Sequence, residues 1–190
     1  VIDYLWLVIA LPLAGALLLH AVGRRIGEPL AGWLASAAIA GSFGVSLIAA
    51  IPFIQGEAHE AHHLVLWEWM PAIGATLEIQ WDALAALMAL VVTGVGTLIH
   101  IFAIGYMHGD SRFQRFFVYM NLFMAMMLIL VLANNYLMLF VGWEGVGLCS
   151  YLLIGFWFEK DANGNAAKKA MIANRVGDWG VLLAMFAMLV

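Results

Sequence analysis

Six runs of apolar residues, each close to the length of a membrane span, leave this 190-residue chain few folds to choose from. A helix needs about 20 such residues to cross the hydrocarbon core. In lipid every backbone N–H and C=O must find its partner inside the segment, which helices achieve unaided. The runs lie at 4–22, 30–54, 83–106, 116–133, 136–158 and 170–190. Hydrophobic residues make up 65% of the chain and charged residues 11%, against about 45–50% and 25% in soluble domains. The sequence therefore predicts an all-α membrane protein with six transmembrane helices. Its last residues, Val181 to Val190, remain apolar to the end, which predicts that this is the first part of a longer protein.

The few charges are ordered. Arg24 and Arg25 follow the first run, Arg112 and Arg115 the third, and Lys160, Lys168 and Lys169 the fifth. The connection 55–82 and the Asn134-Asn135 turn contain no Lys or Arg. Seven of the eight basic residues thus fall on one side. Basic residues mark the cytoplasmic side, so the N-terminus is expected outside. In a bacterium this means the inner membrane, with a periplasmic N-terminus. The start carries Asp3 and no basic residue, unlike a secretory signal. In the outer loop 55–82, Thr76 to Trp81 alternates polar and apolar, and Leu64 to Trp69 does so less cleanly, around turn residues at 71–74. This predicts a β-hairpin on the outer surface, with Trp67, Trp69 and Trp81 near the headgroups. A single cysteine, Cys149, excludes an internal disulfide framework and a multi-Cys metal site. No basic, aromatic patch suggests nucleic acid as a partner; the lipid bilayer is the expected one.

Four residues stand out inside the apolar runs. Glu144 lies about eight residues into the fifth, roughly 12 Å below its outer end at 1.5 Å per residue. A charge at such depth costs on the order of 3 kcal/mol by insertion scales and usually faces a partner or a water-filled cavity. A carboxyl caught between desolvation and a nearby cation changes protonation when the cation moves. The alternative is a structural ion pair or a protonated, hydrogen-bonded acid. Gly142, Gly145 and Gly147 around it fit close helix packing. Arg175 and Asp178 are three apart on the sixth run and share a face. Arg175 can instead extend to the interface, leaving a structural pair. His100, in the third run, either relays a proton through its ring nitrogens or is a satisfied core residue. His59-Glu60-Ala61-His62-His63 fits the H-E-x-x-H zinc pattern. That chemistry needs a helix, a third ligand and a cleft, whereas these residues lie in a loop, so no metal is expected.

These residues carry a resemblance. Arg115-Phe-Phe-Val-Tyr-Met-Asn-Leu-Phe-Met, Leu132-Ala-Asn-Asn-Tyr and Phe140-Val-Gly-Trp-Glu-Gly-Val-Gly-Leu-Cys-Ser-Tyr151 with the following Leu-Leu-Ile-Gly-Phe-Trp157 resemble subunit L of bacterial NADH–quinone oxidoreductase. That enzyme is respiratory complex I, and the mitochondrial counterpart is subunit 5. Ile79-Gln-Trp-Asp82, His100-Ile-Phe-Ala-Ile-Gly-Tyr-Met107 and Ala173-Asn-Arg-Val-Gly-Asp178 agree, and the likeness is strongest over 76–180. The resemblance implies the start of one antiporter-like transmembrane domain. It implies a proton-translocating membrane-arm subunit that acts within an enzyme complex and holds no cofactor itself. NADH, FMN, iron–sulfur clusters and quinone would belong to other subunits, and a neighbouring antiporter-like subunit would be the chief partner. It matches Glu144 to a fifth-helix glutamate thought to pair with a seventh-helix lysine, with Arg175 and Asp178 close to that pair. Alternatives are the large subunit of a multisubunit sodium/proton antiporter, which shares the helix plan, and a non-transporting scaffold.

Overall fold

The computed structural model describes residues 4–56, 60–70 and 75–188, excluding the side chains of Arg24 and Ala75. It contains six helices and one two-stranded sheet: α1 Trp6–Ile26, α2 Glu28–Ile54, β1 His62–Met70, β2 Ala75–Trp81, α3 Ala83–Tyr106, α4 Phe113–Val131, α5 Tyr136–Ile154 and α6 Asp161–Met188. Five helices, α1 to α5, are long and apolar enough to cross a membrane. The exception is α6, which has the length but carries Asp161, Lys168, Lys169, Arg175 and Asp178.

Several boundaries differ from those read in the sequence. Helix α1 runs through Gly23, Arg24 and Arg25 and ends only at Gly27, whose φ of +87° is a conformation other residues rarely adopt. Pro29 then sits in the first turn of α2, where its missing N–H costs nothing. Helix α5 stops at Ile154, and α6 starts at Asp161 rather than near residue 170. Asp161 places an acid in the first turn, where the helix dipole favours it. Lys168 and Lys169 therefore lie on a helix, not in a loop.

Helices α1 to α4 pack as a bundle, α5 lies against α4, and α6 lies against α5. Small residues line the contacts: Ala31, Ala35, Ala49 and Ala50 on α2, and Ala85, Ala86, Ala89 and Ala103 on α3, are buried. Such residues let helix backbones approach closely where lipid provides no hydrophobic drive.

The hairpin is present, antiparallel with His62 opposite Trp81 and Leu64 opposite Ile79. Its predicted turn at 71–74 lies outside the described residues. One face caps the bundle: Ile79 and Trp81 are buried in the same apolar cluster as Leu5, Ala49, Ala85, Leu128 and Met138. Trp67 and Trp69 are exposed, as expected for the outer surface, but Trp81 is not. Its indole N–H donates to the Ala49 carbonyl at 3.2 Å, so burial supplies the partner that water would otherwise provide.

Two side chains turn this surface into helices. Asp82 caps α3, its Oδ1 accepting from the Ala85 N–H at 2.7 Å while Oδ2 accepts from the Gln80 amide at 2.9 Å. Asn135 caps α5 in the same way, accepting from the Met138 N–H at 2.9 Å and donating through Nδ2 to the Thr76 carbonyl at 2.6 Å. The Gln80 N–H donates to Leu132 O at 2.9 Å and the Asn134 N–H to Glu78 O at 3.2 Å. The hairpin and the α4–α5 turn thus share one end of the molecule.

The other end is tied equally firmly. Glu28, at the start of α2, accepts from the Gly109 N–H at 3.0 Å and lies 3.4 Å from His108. Arg112 pairs with Glu159 at 2.8 Å and stacks over Phe156 and Phe158. The Trp157 indole donates to Asp110 at 2.8 Å. These contacts gather the α1–α2 junction, the α3–α4 turn and the α5–α6 connection, which are the three connections that carry or border the basic residues. The alternation read from the charges is therefore a property of the structure.

Asn135→Ala removes a cap and a tie to the hairpin, and is expected to lower stability by about 1 kcal/mol. Thermal unfolding of the full-length protein in detergent checks this; an unchanged midpoint contradicts it. The Arg112 cluster should respond to acid. The Trp157 indole and the Arg112 backbone N–H hold the Asp110 carboxyl below its ordinary range, and the Arg112 guanidinium does the same for Glu159. With lowered folded-state values, the stabilisation is complete above the unfolded carboxyl values of about 4 and is lost as pH falls through the lowered ones. Amide exchange at 155–160, corrected for intrinsic rates, should accelerate below about pH 4; Arg112→Gln should remove the Glu159 part of that dependence and keep the Asp110 part, which Trp157 maintains.

Candidate functional site: a charged cluster between two helices

Helix α5 runs from the capped Asn135 end toward the basic end, and α6 returns. Glu144 stands eight residues after Tyr136, roughly 12 Å along the helix. Arg175 stands fourteen residues after Asp161, roughly 21 Å along α6. The two therefore reach the same level from opposite ends. Because α6 begins at Asp161, Arg175 and Asp178 lie deeper along it than a run starting at residue 170 indicates.

At that level three of the four sequence-predicted residues meet. Arg175 Nη1 donates to Glu144 Oε1 at 2.7 Å and lies 3.6 Å from Asp178 Oδ2. Asp178 is 4% exposed. Its other oxygen accepts from the Trp143 indole at 2.8 Å. Asp178 is thus held from two sides, while the Glu144 carboxylate takes its donor from Arg175. The Glu144 side chain is 27% exposed and that of Arg175 48%.

Glycines make the approach possible. A Cβ on Gly142 would lie 2.5 Å from the Leu130 N and 2.7 Å from its Cα, and one on Gly145 would lie 2.5 Å from Met126 Sδ. Both glycines face α4. Gly147 faces α6, toward the Asn174 amide. The packing role read for this glycine run holds, and Gly142 is the tightest point because its obstacle is backbone.

His100 does not join the cluster. It is fully buried on α3, with Nδ1 2.8 Å from the Gly96 carbonyl and its ring tilted against Phe117 at 6.2 Å. Trp143 belongs to the site but is absent from the sequence-derived candidates. The signal available was an indole N–H inside an apolar span, which needs an acceptor. Among the described residues no group of three His, Cys, Asp or Glu is placed to hold a metal ion. Of the H-E-x-x-H residues, His59 lies outside the described residues, while His62 and His63 lie on β1, where His63 pairs with Glu78 at 3.0 Å.

Apolar helices with alternating connections, and a guanidinium shared by two carboxylates at mid-depth, define a multi-pass membrane protein with an internal ionic site. Two family models match: NADH-ubiquinone oxidoreductase (complex I) chain 5 N-terminus over residues 69–117, and the NADH:quinone oxidoreductase/Mrp antiporter transmembrane region over 133–190. The chain is 47% identical to NADH-quinone oxidoreductase subunit L of Mycobacterium tuberculosis over 97% of its own length and 29% of that protein. It is 45% identical to NADH-ubiquinone oxidoreductase chain 5 of Metridium senile over 95% of its length and 30% of that protein. Among solved structures, the Mrp complex from a Dietzia species matches with a TM-score of 0.78 at 29% identity, over 95% of this chain and 19% of that one. The chain belongs to the family of NADH-quinone oxidoreductase subunit L and NADH-ubiquinone oxidoreductase chain 5. It spans less than a third of the length of these relatives.

Gly142→Ala forces α5 off the α4 backbone and is expected to cost about 1–3 kcal/mol, the usual range for overpacking. The full-length protein should unfold at a lower temperature in detergent. Wild-type stability in this variant would show that the helices sit further apart than described.

Proposed function

We propose that this chain is the N-terminal part of one antiporter-like domain in a proton-translocating membrane-arm subunit of respiratory complex I. The observation that carries this reading is the Arg175–Glu144 contact of 2.7 Å, made between α5 and α6 in a chain of the subunit L family. Two carboxylates around one guanidinium leave one negative charge uncompensated, and one proton balances it. Asp178, fixed by Trp143 and Arg175, serves as the anchor. Glu144, held by the more exposed Arg175, serves as the site where the proton is taken up and released. The lysine that the resemblance places on a later helix would compete with Arg175 for Glu144. Pairing with one or the other changes the field at the carboxyl and moves the proton.

In this reading the energy comes from NADH:quinone electron transfer elsewhere in the complex. The chain holds no redox centre; NADH, FMN, iron–sulfur clusters and quinone bind other subunits. Its partners are the other membrane-arm subunits, chiefly the neighbouring antiporter-like one. It lies in the bacterial inner membrane with the N-terminus periplasmic and the Arg112–Glu159 end cytoplasmic. The Mrp likeness supports a second reading, an antiporter subunit exchanging sodium for protons, through the same helices and the same glutamate.

Glu144→Gln in the full-length protein should leave the complex assembled and lower NADH-driven proton pumping per electron. Proton uptake by vesicles, measured beside quinone reduction, checks this. Unchanged pumping per electron would remove Glu144 from the transport role, and failure to assemble would favour a scaffold. Sodium uptake driven by a proton gradient would favour the antiporter.

A further inference from the structure

Inside the α1–α4 bundle, away from the ionic cluster, lie six buried polar side chains: Ser36, Ser42, Ser46, Thr93, His100 and Asn121. Three have their polar atom paired with a carbonyl, Ser36 with Gly32 O, Ser42 with Val8 O and Thr93 with Ala89 O. The other three each retain an atom without a partner among the described residues: Ser46 Oγ, His100 Nε2 and Asn121 Oδ1. All three residues are 0% exposed. A buried polar atom left unpaired costs about 1–3 kcal/mol, and native structures usually resolve such cases with water or an ion.

We propose that the α1–α4 bundle binds an internal water at His100 Nε2 and Asn121 Oδ1, a polar site separate from Glu144, Arg175 and Asp178. The chemistry of the two atoms selects the ligand. Gly96 O is purely an acceptor, so His100 Nδ1, 2.8 Å from it, carries the proton. In the neutral ring Nε2 is then an acceptor. Asn121 Nδ2 donates to Phe117 O at 3.2 Å, which leaves Oδ1 as an acceptor too. Two acceptors do not satisfy each other; they need a donor, and its position inside four helices requires it to be small. Water supplies two O–H groups. A cation would also suit two acceptors, but none of the six buried polar residues is anionic, and an uncompensated buried charge is far costlier than a neutral guest.

The packing brings the two residues to one level. On α3, Gly96 faces Met124 of α4, while His100, one turn on, lies against Phe117. Asn121 stands between those two α4 residues in sequence. Asn121 Oδ1 faces α1 at Gly15, where a Cβ would lie 3.2 Å from Oδ1 and 2.9 Å from the Ala38 Cβ, so only a glycine lets the helices close around this oxygen. Ser46 lies ten residues beyond Ser36 on α2, roughly 15 Å, so the buried polar groups extend along much of the bundle. This site stands whether or not the transport reading does.

Radiolytic labelling of the full-length protein in its membrane complex tests it, because radicals formed from a bound water mark side chains that bulk solvent does not reach. Phe117, 0% exposed, should be oxidised in wild type at several times the rate of Leu128, which is equally buried, after both rates are divided by the intrinsic radical reactivity of their side chains. The excess should disappear in His100→Phe with Asn121→Leu. A density map of the unmodified complex that resolves ordered water should show a peak within hydrogen-bond reach of Nε2 or Oδ1. Labelling of Phe117 no faster than Leu128, or both side chains resolved with no peak at either atom, overturns the proposal. So does a peak whose occupancy follows sodium concentration.

Discussion

Arg175 reaches Glu144 across the α5–α6 contact, and compensating charge inside apolar helices is the constraint on which the surrounding architecture depends. The guanidinium cannot be removed without leaving two carboxylates to repel each other. Neither carboxylate can be removed without changing the charge of the whole group. Trp143 adds a neutral donor to the buried member, Asp178, while the more open member, Glu144, takes its donor from the Arg175 guanidinium. The asymmetry between the two acids is therefore built into their hydrogen bonds.

The rest of the fold positions this contact. Asn135 starts α5 at a defined point by capping it and tying it to the hairpin. Gly142 and Gly145 seat α5 on α4, and Gly147 turns toward α6. At the opposite end Arg112, Glu159, Asp110 and Trp157 hold the connection from which α6 returns. The depths of Glu144 and Arg175 are set from two ends by two separate groups of polar contacts. Helix α6 rests on α5, and Ile172, Val176, Trp179 and Leu183 present an apolar face beyond it.

Much of this was legible in the sequence because hydrophobic length and charge placement are local quantities. The alternating basic residues, the hairpin strands and the isolation of Glu144 needed no tertiary information. Helix ends were less legible. The first apolar run ends at residue 22, whereas α1 continues to Gly27, since a positive φ is a property of the fold and not of the residue type alone. The start of α6 was hidden because 161–169 is polar, and polarity there conceals helix rather than loop. Trp81 looked interfacial until its acceptor at Ala49 was known. His100 shared the features of a relay residue, but only packing could separate it from the α5–α6 charges. The pairing of Trp143 with Asp178, and the unpaired acceptors at His100 and Asn121, depend on which helix faces which, and periodicity does not encode that.

The central claim is that the Glu144 carboxyl gains and loses a proton as its charged partner changes. Infrared difference spectroscopy of the full-length protein in its assembled complex, recorded between resting and NADH-oxidising states, reads this directly. The account predicts a protonated-carboxyl band whose intensity changes with turnover and that is missing in Glu144→Gln, with the Asp178 carboxylate signal retained. A spectrum whose carboxyl bands are the same in wild type and Glu144→Gln would contradict it.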